Sequence, residues 1–248
     1  MNRHLSMRTA NPALQSDTFR KAMSGSTSDF GVMTINGVVS KTGLSLLLLV
    51  ISASITWSNP ALSWLGMFGT FAGLLLAIIT IFKPTISYLT VPAYAVMQGL
   101  VLGLISRIFE NQYPGIAVQA IFLTFGTLGS LLLAYMSGLI KATENFKLGI
   151  FAATGAIGIL YLINFVMSFF GTGIGVIHSN STMGIVFSIG VVIIAALNLV
   201  LDFDFIEEGA EIGAPKYMEW YATFGLLVTL IWLYIEILRL LSKLNSRR

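Results

Sequence analysis

The feature that most constrains this chain is a succession of seven apolar stretches separated by short polar breaks. About 20 apolar residues are what an α-helix needs to cross the hydrocarbon core of a bilayer. With 56% hydrophobic residues, 10% charged residues and a mean hydropathy of +0.85, the chain is too apolar for a water-soluble globule. The sequence therefore predicts an all-α, polytopic membrane protein whose partner is the lipid bilayer. We place the seven transmembrane helices at residues 43–57, 62–82, 86–105, 116–139, 148–170, 183–201 and 221–241.

A polar segment precedes these stretches. Residues 1–41 carry basic side chains and lack the apolar core of a signal peptide, so we expect a flexible cytoplasmic tail there. No later polar stretch is long enough for a second domain. The sequence thus predicts a single membrane domain over residues 42–248.

The distribution of Lys and Arg predicts the orientation. The tail and the breaks after spans two, four and six hold nine of these residues, whereas the opposite breaks hold only Arg107. Because basic residues favour the cytoplasmic side, the amino terminus is predicted to be cytoplasmic. Seven spans then place the carboxyl terminus outside, against its own four basic residues, which leaves room for a last segment that re-enters the membrane.

Signatures of enzymes, metal sites and nucleic-acid binding are missing from the sequence. There is no cysteine, the two histidines lie outside the predicted spans, and neither G-x-S-x-G nor G-x-G-D occurs. No basic stripe with interleaved aromatic residues is present. We therefore expect no catalytic activity, no cofactor, no metal centre and no nucleic-acid partner.

Acidic residues are concentrated after the sixth span. Asp202 ends an apolar run of 19 residues, and four further acids follow at helical spacings: Asp204, Glu207, Glu208 and Glu211. Like charges so arranged repel each other, which favours proton uptake or attraction of a cation. A carboxylate at a membrane boundary is costly, so Asp202 is the candidate for a functional group. For Glu207, Glu208 and Glu211 the alternative interpretation is a solvated acidic loop with no further role.

Other polar residues inside the spans are candidates for a polar seam. Asn198 lies four residues before Asp202, and Gln98 lies in the third span. Such groups either line a water path or hydrogen-bond between helices. Glu236 is the other acid within a span, and Arg239 follows at i+3, which favours a helical ion pair.

Small residues at a spacing of four predict close helix packing. The pairs are Gly69 with Gly73 and Gly99 with Gly103. Glycine at this spacing lets two backbones approach each other.

Four segments of the chain resemble the Bax inhibitor-1 family, and within it the bacterial Bax-inhibitor-like branch. They are TINGVVSKTG at residues 34–43, YAVMQGLVLGLIS at 94–106, NLVLDFDFIE at 198–207, and residues 219–241. The resemblance implies seven helices with the last one surrounded by the other six, a bacterial inner-membrane location, and a pH-sensitive calcium leak. In characterised relatives two aspartates share a proton and gate the pore.

The residues matched to that gate differ from the family pattern. Asp202 matches the first aspartate, in the family's Y-D-x-x-x-I. The second falls on Thr229 if the family's closing L-x-x-L-L-R is laid on residues 233–239, and on Glu236 in a shifted alignment; we prefer Thr229. Gln98 stands where the family usually has Glu. The resemblance therefore implies a gate with fewer carboxylates than usual.

Two functions from different classes lead, and a proton-coupled transporter is a third alternative for which no inverted repeat is evident. The first is a leak for calcium or another cation, gated by Asp202 with Asp204 and Thr229 nearby, and with Glu207, Glu208 and Glu211 attracting the cation. The second is an interaction protein that modulates a membrane protease or another membrane complex.

Overall fold

Seven long apolar helices make up most of the chain. The computed structural model describes residues 31–247. All seven helices are long and apolar enough to cross a membrane, which confirms the predicted all-α polytopic architecture. They are α1 Ile35–Ser58, α2 Ser63–Phe82, α3 Ser87–Gln112, α4 Ile116–Met136, α5 Glu144–Ser168, α6 Thr182–Glu211 and α7 Met218–Asn245.

The first helix begins earlier than the sequence suggested. The Thr34 side chain caps α1 by accepting a hydrogen bond from the Gly37 backbone N–H (3.0 Å), so the helix begins at Ile35. The predicted boundary between tail and domain, after Lys41, is therefore wrong, because residues 31–41 belong to the folded part. The rest of the predicted tail lies outside the described residues.

The sixth helix continues well past the apolar run. It ends at Glu211, ten residues beyond Leu201, and Gly213 then turns the chain with φ of +67°. At 1.5 Å per residue its 30 residues measure about 45 Å, more than the ~30 Å hydrocarbon core. The acidic segment after Asp202 is thus a helical extension, and the interpretation of a solvated loop is wrong for its backbone.

The described chain forms two compact units. We call residues 31–112 with 202–228 the amino-terminal unit, and residues 113–201 with 229–247 the carboxyl-terminal unit. The amino-terminal unit contains α1 to α3, the end of α6 and the start of α7. The carboxyl-terminal unit contains α4, α5 and the remaining parts of α6 and α7.

Glycines bring α1 and α3 into close contact in the amino-terminal unit. A Cβ at Gly99 would collide with the Leu49 carbonyl oxygen, and one at Gly103 with the Ala53 carbonyl oxygen. Thr56 Oγ1 donates to the Leu100 carbonyl (2.9 Å) across the same contact. The predicted role of this glycine pair in helix packing is confirmed.

Burial differs strongly among the helices. In α7, 67% of the most apolar 18-residue window is buried, compared with 6% in α5. The last helix is the most enclosed of the seven, as the family resemblance implied. Glu219, Glu236 and Lys243 on α7 are buried, so the partners of these charges have to come from the protein.

Candidate functional site

The acidic side chains at the end of α6 become more exposed from Asp202 towards Glu211. Asp202 is 1% exposed, Asp204 is half-buried, and three glutamates are exposed. The three are Glu207, Glu208 and Glu211. Because α6 is continuous, Glu211 lies about 13.5 Å further along the axis than Asp202. Asp202 is thus the only one of these five acids that is fully buried.

Asn198 hydrogen-bonds to a neighbouring helix. It lies one helical turn before Asp202, and its amide donates to Thr154 Oγ1 (2.8 Å) and to the Ile194 carbonyl (2.8 Å). Both amide hydrogens are therefore used within the carboxyl-terminal unit, in a contact between α5 and α6. Of the two interpretations of this residue, the hydrogen bond between helices is the one observed.

Gln98 lies at the contact between α2 and α3. It is half-buried, and a Cβ at Gly73 would lie 2.8 Å from Gln98 Nε2. Glycine at position 73 therefore makes room for the amide. The close packing predicted for Gly73 involves a polar side chain rather than backbone alone.

Thr229 is buried in α7. It is 3% exposed. A hydroxyl cannot carry the negative charge of an aspartate at this position. A pair of carboxylates sharing a proton is therefore not available from Asp202 and Thr229.

Glu219 forms an ionic cluster with the start of α1. The carboxylate is 1% exposed, and Oε1 accepts from the Thr34 backbone N–H (3.0 Å) and from Thr34 Oγ1 (2.9 Å). Lys41 Nζ pairs with Oε2 and lies 5.5 Å from the centroid of the Trp220 ring. A Cβ at Gly37 would collide with this carboxylate, so the helix approaches it where no side chain intervenes.

Sequence reasoning missed the Glu219 cluster although a signal was present. Lys41 and Glu219 are lone charges of opposite sign, each next to an apolar run. The sequence assigned Lys41 to the tail, so the two were not considered as a pair. They are 178 residues apart in the chain.

The segment before α1 pairs with the loop between α6 and α7. Met33 N–H donates to the Ala214 carbonyl (2.7 Å), and Lys216 N–H donates to the Gly31 carbonyl (2.8 Å). Next to this pairing, Ser87 Oγ donates to the Tyr217 carbonyl (3.1 Å), and partial burial raises the pKa of the Tyr217 phenol. Residues 31–33 are thus held against the loop that follows the acidic end of α6.

A second ionic cluster lies in the carboxyl-terminal unit. Arg239 NH1 pairs with Glu236 Oε1 (2.8 Å), which confirms the predicted ion pair. Tyr161 from α5 joins them, because its hydroxyl donates to the same Oε1 (3.0 Å) and accepts from Arg239 NH1 (3.0 Å). Glu236 is 1% exposed, and its Oε2 is buried without a hydrogen-bond partner among the described residues.

Basic residues at the end of α7 are bound to the segment before α6 and to the first turns of α6. Lys243, 3% exposed, donates from Nζ to the Ile177 carbonyl (2.8 Å), the Gly184 carbonyl (3.0 Å) and Ser188 Oγ (2.8 Å). Arg247 donates to the Asn180 carbonyl (2.9 Å). The α7 helix is one unbroken element of 28 residues up to Asn245, which is long enough to cross the membrane as the seventh predicted span does.

Carboxylate clusters of the kind that hold metals are not formed by the described residues. No group of three or more His, Cys, Asp or Glu side chains in residues 31–247 is arranged around a common point. The acids after Asp202 are spread along a helix instead. Any cation drawn to them would be held by long-range attraction rather than by a carboxylate cage.

Comparison with known proteins yields a family match over nearly the whole chain. A family model described as Bax inhibitor 1 like matches residues 11–246. No match is found among curated proteins or among solved structures.

Proposed function

Because the chain belongs to the Bax inhibitor 1 like family, we propose that this integral membrane protein is a pH-sensitive leak for calcium or another cation. The observation that carries the proposal is the burial of Asp202, which is 1% exposed within α6. An ionised Asp at the centre of a membrane helix costs about 2.5–3.5 kcal/mol on insertion scales, and it costs less near the end of the apolar run, where Asp202 lies. Residues that carry such a cost inside membranes belong to ion and proton pathways more often than to plain structure.

Protonation of Asp202 is the proposed switch. Uptake of one proton removes the buried charge, and the groups that contact the carboxylate then rearrange. The exposed glutamates beyond it raise the local concentration of cations at this end of α6. Since Thr229 carries no carboxylate, the pH response is that of a single proton rather than of a coupled pair.

The test is calcium flux into liposomes that contain the purified protein and a trapped indicator, measured over a range of pH. We expect Asp202→Asn to flatten the pH dependence. Glu144→Gln, which neutralises an exposed acid at the start of α5, serves as the matched control and keeps the wild-type profile. An unchanged profile in Asp202→Asn contradicts the gating role, and absence of flux in wild type contradicts the leak itself.

The proposed orientation has a cytoplasmic amino terminus, in a bacterial inner membrane. The excess of Lys and Arg in the tail and in alternate breaks supports it. The basic residues near the carboxyl terminus oppose it only weakly, because Arg239 and Lys243 are bound inside the protein. Reporter fusions at the carboxyl terminus test this, and a cytoplasmic signal there contradicts it.

A second candidate is an interaction protein that modulates a membrane protease or another complex. The observation that favours it is the pairing of residues 31–33 with the loop between α6 and α7, which fixes the start of the described chain at this loop. Removal of residues 1–30 separates the two functions, since it leaves Thr34 and Lys41 in place. Loss of the cellular effect with intact flux favours the interaction, and parallel loss of both favours the leak.

A further inference from the structure

Lys243 carries a buried positive charge that is held by uncharged oxygens. An ammonium group has three N–H donors, and the three acceptors around it are the Ile177 carbonyl, the Gly184 carbonyl and Ser188 Oγ, at 2.8–3.0 Å. Among the described residues no carboxylate is in ion-pair contact with Nζ. The side chain therefore occupies a pocket of converging oxygens in the way that a free cation would.

We propose that Lys243 is a tethered cation that plugs an oxygen-lined cation site formed by the Ile177 carbonyl, the Gly184 carbonyl and Ser188 Oγ. Carbonyl and hydroxyl oxygens are the ligands with which proteins replace the hydration shell of K⁺ and Ca²⁺. The lysine ammonium is a compact point charge and competes for the same oxygens. With Lys243 seated, a metal cation cannot enter.

Glu236 supplies a second cation-binding position on the same helix as Lys243. It lies seven residues before Lys243, which is about 10.5 Å along the axis and on nearly the same face. Its Oε1 is occupied by Tyr161 and Arg239, whereas Oε2 is buried and accepts no hydrogen bond from the described residues. A cation that has passed the Lys243 site finds a carboxylate oxygen there.

The local charges explain why the plug stays in place. A metal cation between these two positions is repelled by the positive charges of Lys243 and Arg239 and attracted only by the single negative charge of Glu236. The amino terminus of α6 at Thr182 adds partial positive charge on the same side. Removing the lysine charge changes this balance in favour of a cation and simultaneously vacates the three oxygens.

The inference rests on the proposed cation leak, but it concerns the carboxyl-terminal end of α7 rather than Asp202. Its first test compares cation flux in liposomes at neutral pH for wild type, Lys243→Met and Arg247→Gln. Arg247→Gln is the matched control, because it removes a positive charge from the same end without touching the three oxygens. We expect Lys243→Met to raise the leak about tenfold, which corresponds to ~1.4 kcal/mol, and Arg247→Gln to leave it unchanged.

Glu236 is tested in the same assay. Adding Glu236→Gln to Lys243→Met is expected to remove most of the added flux, because the inner position loses its charge. Flux in Lys243→Met at or below the wild-type level overturns the plug. Equal increases in Lys243→Met and Arg247→Gln overturn it too, since they indicate a general effect of surface charge.

A binding measurement makes the inference independent of transport. The melting temperature of purified Lys243→Met is followed as K⁺ or Ca²⁺ replaces choline at constant ionic strength. A cation that fills the vacated site stabilises the folded protein, so the melting temperature rises in Lys243→Met and stays constant in wild type. No rise with either ion overturns the plug. A rise without flux in any variant instead supports the site and contradicts the proposed leak.

Ser188→Ala covers the case in which Lys243→Met does not fold. It removes one of the three oxygens and retains the lysine, so the plug is held less firmly. Ser242→Ala is the matched control, because that hydroxyl donates only to the Arg239 carbonyl of its own helix. We expect a severalfold higher leak in Ser188→Ala than in Ser242→Ala, and equal leaks overturn the plug.

Discussion

The pair formed by Lys41 and Glu219 gives the sharpest stability prediction. In Lys41→Met the buried Glu219 carboxylate loses its counter-charge and keeps only the two donors of Thr34. Breaking a buried pair from one side costs about 3–5 kcal/mol. Because the Lys41 side chain is 20% exposed, we expect the lower end, about 3 kcal/mol.

The reverse substitution is expected to cost less. Glu219→Gln keeps an oxygen that accepts from Thr34, and it leaves a lysine that can turn to solvent or remain over Trp220. A cost of about 1–2 kcal/mol follows from the loss of one charge-assisted hydrogen bond. The double variant then gives a coupling energy of about 2 kcal/mol.

The assay is equilibrium unfolding of the purified protein in detergent, followed by circular dichroism. Lys216→Met is the matched control, because Lys216 is an exposed lysine of the same unit, and its change is expected within about 0.5 kcal/mol. A coupling energy below about 0.5 kcal/mol refutes the reasoning, since contacting charged residues normally couple more strongly. Equal costs for the two single variants refute the asymmetry.

Three further predictions concern helix packing, a buried hydrogen bond and the removal of residues 1–30. Gly99→Ala places a Cβ on the Leu49 carbonyl oxygen and is expected to lower the free energy of unfolding by about 1–3 kcal/mol. In the control Gly126→Ala the new Cβ meets no atom, so the free energy of unfolding falls by less than about 0.5 kcal/mol. Equal melting temperatures of the two variants contradict this. Tyr161→Phe removes a donor from the buried Glu236 carboxylate and is expected to cost about 1.5–3 kcal/mol in the same unfolding assay. Removal of residues 1–30, which leaves the hydrogen bonds of Gly31, Met33 and Thr34 in place, is expected to leave the melting temperature unchanged, and a lower melting temperature contradicts this.

The positions of the helices followed from sequence, but several of their ends did not. The apolar run identifies the part of a helix that lies in lipid, so α6 was predicted to end at Leu201. The polar residues beyond it still favour helix, and the helix stops only at the turn at Gly213. Likewise, Lys41 was assigned to the tail because a lone charge interrupts an apolar pattern.

Some residues of the candidate site could likewise be predicted from the sequence and others could not. Asp202 was singled out by its position at the end of an apolar run, and its burial agrees with that choice. The Glu236–Arg239 pair was predictable because both residues lie on one helix at i+3. The clusters around Glu219 and Lys243 could not be predicted, because each joins segments that are far apart in the chain. The Lys243 cluster also uses backbone carbonyls, which every residue possesses and which therefore leave no signal in the sequence.

Seven helices able to cross a membrane could be recognised from the residues alone. A helix in lipid satisfies its own backbone hydrogen bonds, so its existence depends only on the length and polarity of one local segment. Which charges are buried, and what holds them, depends instead on the tertiary fold, as with Lys41 and Glu219, which are 178 residues apart. The energy of a buried charge depends on its neighbours in space, and no local pattern of residues specifies those.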